Sequence, residues 1–441
     1  MKFLKYLFPA VIISGSIAVN PACGWNGKGW NSGAILLRTG DAVISYDPDN
    51  DAWISTKPLR YPANTMGATV IVASSTSKNK QSADYICDGI ADDAEINAAI
   101  QAVIDSTVKQ GTVKILEGQY NITAPVRLYQ QKILLEGTGE KATLLNLSSN
   151  SNCNVIEVSP NASHGGIFFG VSQLRVIGNR TTNNSGWGIY VNDKVKDFFL
   201  RNVSISNCYD GGVYIGSAWG HVAENIVSEY NLGPGYYIDV TTGIEAKITN
   251  AKIMNNDNTQ FKIYHSNPVS FGSVKVVNGR FMAVNNNTTV VEINAGGNMF
   301  VNCDVGASGK TGVTLINCTG TRNQFTNMTL TGIADTVAVA FQTGAQSNYI
   351  QGVTSFSISD PDRILITNNA AHNRIILPRR HSGYTCVDSG ARLDAPLIGD
   401  ATNKTINLLF DNGSANKPGI RYNHTAGKLQ YTHNGTDWTD F

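Results

Sequence analysis

Residues 87–103 read CDGIADDAEINAAIQAV. Asp88, Asp92, Asp93 and Glu95 crowd into a short run, as carboxylates do in metal loops and acid–base sites. The apolar spacing gives them another purpose. From Asp92 onward, Ile96, Ala99, Ile100, Val103 and Ile104 form the i, i+3, i+4, i+7, i+8 stripe of an amphipathic helix. Asp92 stands at the N-cap, and Glu95 three residues later completes the capping-box spacing. Asp93 falls in the first turn, where the helix dipole favours a carboxylate. The spacing predicts a capping helix over 92–105, with Asp88-Gly89 as the turn before it. The acids read as scaffolding, and no metal or other cofactor is expected.

Two strand pairs follow. GTVKILEGQYNITAPVRL (111–128) breaks at Glu117-Gly118, and KILLEGTGEKATLLNL (132–147) repeats the device. The run from Ile71 to Leu147 resembles the N-terminal entry of the pectate-lyase-like, right-handed parallel β-helix superfamily. There, a short amphipathic helix after a DG…DD segment plugs the open end of the solenoid. The resemblance implies an all-β fold. It also implies the functions of that superfamily, which includes polygalacturonase-like enzymes and bacteriophage tailspikes.

A β-helix requires a coil-length repeat, and the sequence carries one. Asn202, Asn225, Asn250, Asn278, Asn302 and Asn327 each precede a short β-like run, at spacings of 23, 25, 28, 24 and 25 residues. Period-2 alternation turns Val203, Ile226, Ala251, Gly279, Cys303 and Met328 inward, with Ile205, Ser228, Ile253, Phe281, Val305 and Leu330. Ser204, Val227, Lys252, Arg280, Asp304 and Thr329 face outward. Asparagine tolerates the left-handed region and bonds its neighbour one rung away, so the column reads as a turn ladder.

A second strand per coil aligns on Val191, Ile215, Ile238, Ile263, Ile293 and Leu315. Tyr190, Tyr214, Tyr237, Lys262 and Glu292 precede the first five of these. Asp239 and Tyr264 follow two of them. Rungs lie about 4.8 Å apart, so the three tyrosines are expected to stack along one outer face beside Asp239, Lys262, Tyr264 and Glu292. Aromatic rings with nearby carboxylate and ammonium groups suit a polysaccharide. Stacked tyrosines also stabilise a sheet face, and a subunit contact would cover them; all three readings stay open.

Catalysis has no signature. Glycosidic carboxylate pairs stand about 5–5.5 Å or 6.5–9.5 Å apart. Asp239 and Glu292, two rungs apart in different columns, are roughly 12 Å apart by strand spacing. Asp210, Glu224, Glu229, Asp257 and Asp304 offer no obvious pair. The set of NTD, paired DD, GHG and RIK motifs of polygalacturonase-type hydrolases is not visible, Asp92-Asp93 belonging to the helix start, and WGHVAE around His221 lacks the second glycine. YDPDND spaces Asp47, Asp49 and Asp51 like a calcium loop, but Pro58 occupies the position that needs glutamate. Whether the chain is an enzyme stays open.

Bulk properties fit an all-β chain. Charged residues make up 15% and the net charge is +1, so no basic surplus points to nucleic acid. The 43 glycines supply turns. Cys23, Cys87, Cys153, Cys208, Cys303, Cys318 and Cys386 form no CxxC pair and read as buried free thiols. MKFLKYLFPAVIISGSIAVNPACG at the start is either a secretory signal or a retained apolar arm, and is too short and broken for a membrane span. GAILLRTGDAVISYDPDNDAW (33–53) and PGIRYNHTAGKLQYTHNGTDW (418–438) share a strand, turn, Tyr-strand, acidic-turn pattern. The latter resembles short modules near the ends of phage tail-fibre proteins.

The expected organisation is an anchoring arm and small β module (1–66), β-helix entry (67–150), parallel coils (151–380) and a C-terminal β module (381–441). The leading functional expectation is a phage-like virion spike or fibre. It would bind a host surface glycan, contact other virion proteins through its N-terminal arm and, as the resemblance implies, form a homotrimer. A secreted polysaccharide hydrolase or lyase is the alternative, and a non-catalytic adhesin the third.

Overall fold

The computed structural model describes residues 68–353 apart from short segments at 130–131, 160–165, 193–194, 217–218, 241–244, 269–271, 285–288, 309–311 and 333–335, with the backbone of separate strands on either side. The chain divides into Met1–Met66 and Gly67–Phe441. In the first unit, Ile17–Ala18, Leu36–Thr39, Ala42–Asp47 and Ala52–Ser55 form an antiparallel sheet in sequence order. The apolar start of the chain, apart from the backbone of Ile17–Ala18, and the side chains of the YDPDND turn lie outside the described residues.

The second unit is a right-handed parallel β-helix. One long ladder of parallel strands runs from Val126–Leu128 through Trp187–Val191, Gly211–Gly216, Tyr236–Asp239 and Phe261–Tyr264 to Tyr384–Asp388. A second sheet collects the remaining strands of each coil. Ile406–Phe410 pairs parallel with the end of the long ladder, and Gly419–Asn423, Lys428–Thr432 and Thr439–Asp440 then turn antiparallel.

Each coil folds over the one before because its inward residues are apolar. Val203, Ile205, Ile226, Ile253, Phe281, Val305 and Leu330 are buried. Inside, Tyr236 stacks on Phe261 at 5.7 Å and Phe300 on Phe325 at 5.5 Å. Such pairs add about 0.5–1.5 kcal/mol each beyond the area they bury. Ser204, expected outside, is buried; it lies in register with Arg175 on the neighbouring rung.

The asparagine column sits at a corner. Asn202, Asn225, Asn250, Asn278, Asn302 and Asn327 all have φ between 51° and 55°. Asn250, for example, separates Ala246–Thr249 from Lys252–Met254. Nδ2 of Asn225 donates to Oδ1 of Asn202 at 2.8 Å, and that of Asn250 to Asn225 at 3.1 Å. The contacts stretch to 3.4 and 3.5 Å at Asn278 and Asn302.

The helix spans Asp93–Ile104 and buries Ile96, Ala99, Ile100, Val103 and Ile104 against the first coils. Isolated helices this short are marginal in water, so this packing holds it. The capping box does not form. Asp92 is buried and makes no side-chain cap bond. Its carboxylate instead accepts the backbone N–H of Gly89 and of Asn121, both at 2.7 Å. The Asp92 N–H goes to the Asn121 carbonyl, leaving nothing for Glu95 to cap, and Glu95 Oε2 is buried without a hydrogen-bond partner. The strand over Gly118–Ile122 runs so close to the helix entry that its backbone competes for Asp92 and wins. Asp93 is used in the same way, accepting Thr123 N–H at 2.7 Å.

Candidate functional site

Backbone register puts the tyrosines on consecutive rungs. Tyr190 pairs with Tyr214, Tyr214 with Tyr237, Tyr237 with Lys262 and Lys262 with Glu292. Asp239 and Tyr264 pair with each other in the next outward column. The structure therefore brings all seven residues onto one face, each half-buried. One alignment shifts. Ile293 pairs with Cys318, not Leu315, so Asn317 continues the column beyond Glu292. Leu315 and Ile316 are both buried, and a run without alternation gives no signal of its phase.

The rings do not lie as a flat platform. Tyr190 and Tyr214 stack face to face at 4.9 Å and 5°, while Tyr237 meets Tyr214 edge-on at 5.4 Å and 85°. Trp187 joins them, 5.3 Å from Tyr214 and 6.3 Å from Tyr237. The sequence reading missed this tryptophan. Its side chain crosses to the next rung because Gly211 stands there; a Cβ at 211 would lie 2.2 Å from the indole. The signal was present in the pairing of WGIY with GGVY, a tryptophan opposite a glycine.

Polar groups rim the rings. The Tyr214 hydroxyl donates to Asp239 Oδ2 at 3.1 Å, and burial and this carboxylate hold the phenol well above its ordinary range. Burial first, then Asp239, pushes Tyr237 up to about 12. Lys262 Nζ lies 3.2 Å from Glu292 Oε2 and over the rings of Tyr237 and Tyr264, at 5.5 and 5.8 Å. The face is a preformed cluster of ring edges, hydroxyls and two carboxylates around one cation. The raised phenols of Tyr214 and Tyr237 stay protonated near neutral pH and are not poised as bases.

Four of the five other candidate carboxylates, Glu229 aside, have described partners. Asp210 accepts Gly186 N–H at 2.7 Å, Arg201 pairs with Glu224 at 3.1 Å, Arg180 with Asp257 at 2.7 Å and Arg280 with Asp304 at 3.4 Å. His221 is enclosed in the solenoid, stacked on Phe198 at 5.5 Å, with Nδ1 at 3.2 Å from the Phe198 carbonyl and Nε2 against the Tyr236 hydroxyl. Burial depresses its pKa to about 4, so it is a neutral core residue.

Cys87, Asp92 and Glu95 bring ligand atoms within 4.8 Å of one another. Both Asp92 oxygens already take backbone N–H groups, and burial followed by the neighbouring carboxylates raises the Cys87 thiol far above its usual range. The described cysteines are free thiols, with Cys87, Cys208, Cys303 and Cys318 buried. The sequence reading also missed an interior asparagine ladder. Asn298, Asn323, Asn348 and Asn373 are buried at 25-residue intervals, and each of the first three donates an N–H to the amide oxygen of the next.

Residues 142–305 match the family described as a right-handed beta helix region. Among solved structures, ORF18 of Geobacillus virus E2 is similar with a TM-score of 0.53 and 15% identity, over 90% of this chain and 81% of that one. The A-module of the Azotobacter vinelandii mannuronan C-5 epimerase AlgE4 gives 0.48 and 16%, over 72% and 96%. DFA-IIIase from Arthrobacter chlorophenolicus A6 gives 0.46 and 10%, over 75% and 86%. No curated protein matches the chain. At these identities the likeness is one of fold.

Proposed function

We propose that this protein is a virion surface spike or fibre whose β-helix presents the aromatic face to a host cell-surface polysaccharide. The observation that carries the reading is the cluster of Trp187, Tyr190, Tyr214 and Tyr237 rimmed by Asp239, Lys262 and Glu292 on the outer side of one ladder. Sugars offer hydroxyls to carboxylates and phenols and C–H faces to rings, so such a cluster supplies both kinds of contact. The virion setting is supported by a fold shared with a viral protein and by the fibre-like pattern of residues 418–438. In this reading residues 1–66 contact other virion proteins and three copies assemble.

A secreted polysaccharide hydrolase or lyase is the second reading, favoured by the signal-like composition of residues 1–24. The test is retention of glycans by the full-length protein and by Tyr214→Ala, with new reducing or unsaturated ends read in parallel. Retention lost in the variant, with the fold intact by circular dichroism, supports the face. Undiminished retention removes it. New ends would make the protein a depolymerase.

A further inference from the structure

The charge around the aromatic face is unevenly distributed. Across the rungs that carry Tyr214, Tyr237, Lys262 and Glu292, the described ionised side chains of the two outward columns are Asp239 and Glu292 against Lys262. Lys262 is already committed. Its Nζ is 3.2 Å from Glu292 Oε2 and is shared between two aromatic rings. On the rung before Tyr190 the column holds Glu157, and Arg127 lies beyond it. Along these two columns the tyrosines are thus flanked by Glu157 on one side and by Asp239 and Glu292 on the other.

We infer that the glycan taken by this face is neutral or amine-bearing, and not a polyuronate. The inference rests on the glycan-binding reading above and narrows it. Carboxylates are acceptors only, so they select ligands that donate: sugar hydroxyls or an ammonium. A uronate carboxylate laid along these columns would approach Asp239 or Glu292, where the one described cation, Lys262, is already paired with Glu292, and like charges at such spacing disfavour binding. The tyrosine edges are weakly electropositive and accommodate hydroxyl oxygens, but they carry no full charge to replace a cation.

The experiment uses the full chain and length-matched panels of neutral hexose, glucosamine and galacturonate oligosaccharides at low salt. Each is measured on the wild type, Trp187→Ala and Glu292→Gln. The expected result is a wild-type preference of about tenfold or more for neutral or amine-bearing oligomers over uronates. That binding is lost in Trp187→Ala, and Glu292→Gln, which frees Lys262, narrows the preference. Uronates bound most tightly by the wild type and lost in Trp187→Ala would overturn the inference while leaving the face a glycan site. Binding that ignores Trp187→Ala, or no binding from any panel, would overturn the glycan-binding reading and the inference with it.

Discussion

Trp187 lies across Gly211, with the position of a Cβ at 211 only 2.2 Å from the indole. The φ of +151° at Gly211 also belongs to a region that side chains rarely adopt. This contact ties the candidate site to the coil geometry: one missing side chain lets a tryptophan reach two tyrosines on later rungs.

Gly211→Ala is therefore expected to lower stability by about 1–3 kcal/mol and to displace the indole. A denaturant titration and the near-ultraviolet circular dichroism spectrum check this together. An unchanged aromatic spectrum would mean that Trp187 does not need the gap.

The Tyr214–Asp239 bond sets a titration. Burial and the Asp239 carboxylate hold the Tyr214 phenol above its ordinary value of 10. In Asp239→Asn the pKa should fall towards that value, since the charge is gone and burial remains. Carbon-13 labelling of the tyrosine Cζ, with Tyr214→Phe to assign the signal, follows the change directly.

His221 makes the protein acid-sensitive. The unfolded imidazole takes a proton near 6.5, and the folded one only near 4. Between those values the unfolded chain binds the extra proton. The stability contribution is therefore complete above pH 6.5 and lost as pH falls towards 4, by about 3 kcal/mol. His221→Gln, which keeps a polar partner for Tyr236, should flatten the slope of unfolding free energy in that window.

The two asparagine ladders should respond differently. Asn323→Ala leaves the buried backbone N–H of Asn298 without its acceptor, at about 1–3 kcal/mol, and takes one of the two acceptors of its amide, which keeps the Ala295 carbonyl. At the exposed corner, Asn278→Gly keeps the φ of 55° and should be tolerated, whereas Asn278→Ala costs about 1 kcal/mol. Chemical denaturation of the three variants ranks them.

Much of this was legible because it repeats. The helix stripe is a periodicity within one segment, and the corner asparagines and the Tyr190–Tyr214–Tyr237 column recur at coil length. The misreadings lie where a partner from another coil decides. Asp92 had the right spacing for a cap, yet Gly89 and Asn121 claim its oxygens. Leu315 matched the apolar column, yet the pairing of Thr289 with Thr314 sets Cys318 opposite Ile293. The interior ladder through Asn323 escaped notice because a buried asparagine looks like a turn residue until its neighbours one coil away are known. Trp187 escaped for the converse reason, since its contacts run along the stack and not along the chain.

The most direct test of the account is glycan retention by the purified full-length protein beside Trp187→Ala and Tyr214→Ala. The account predicts that the wild type retains a polysaccharide and that both folded variants release it. Equal retention by all three, or none by the wild type across a broad glycan screen, would contradict it and leave the tyrosines as supports for the sheet.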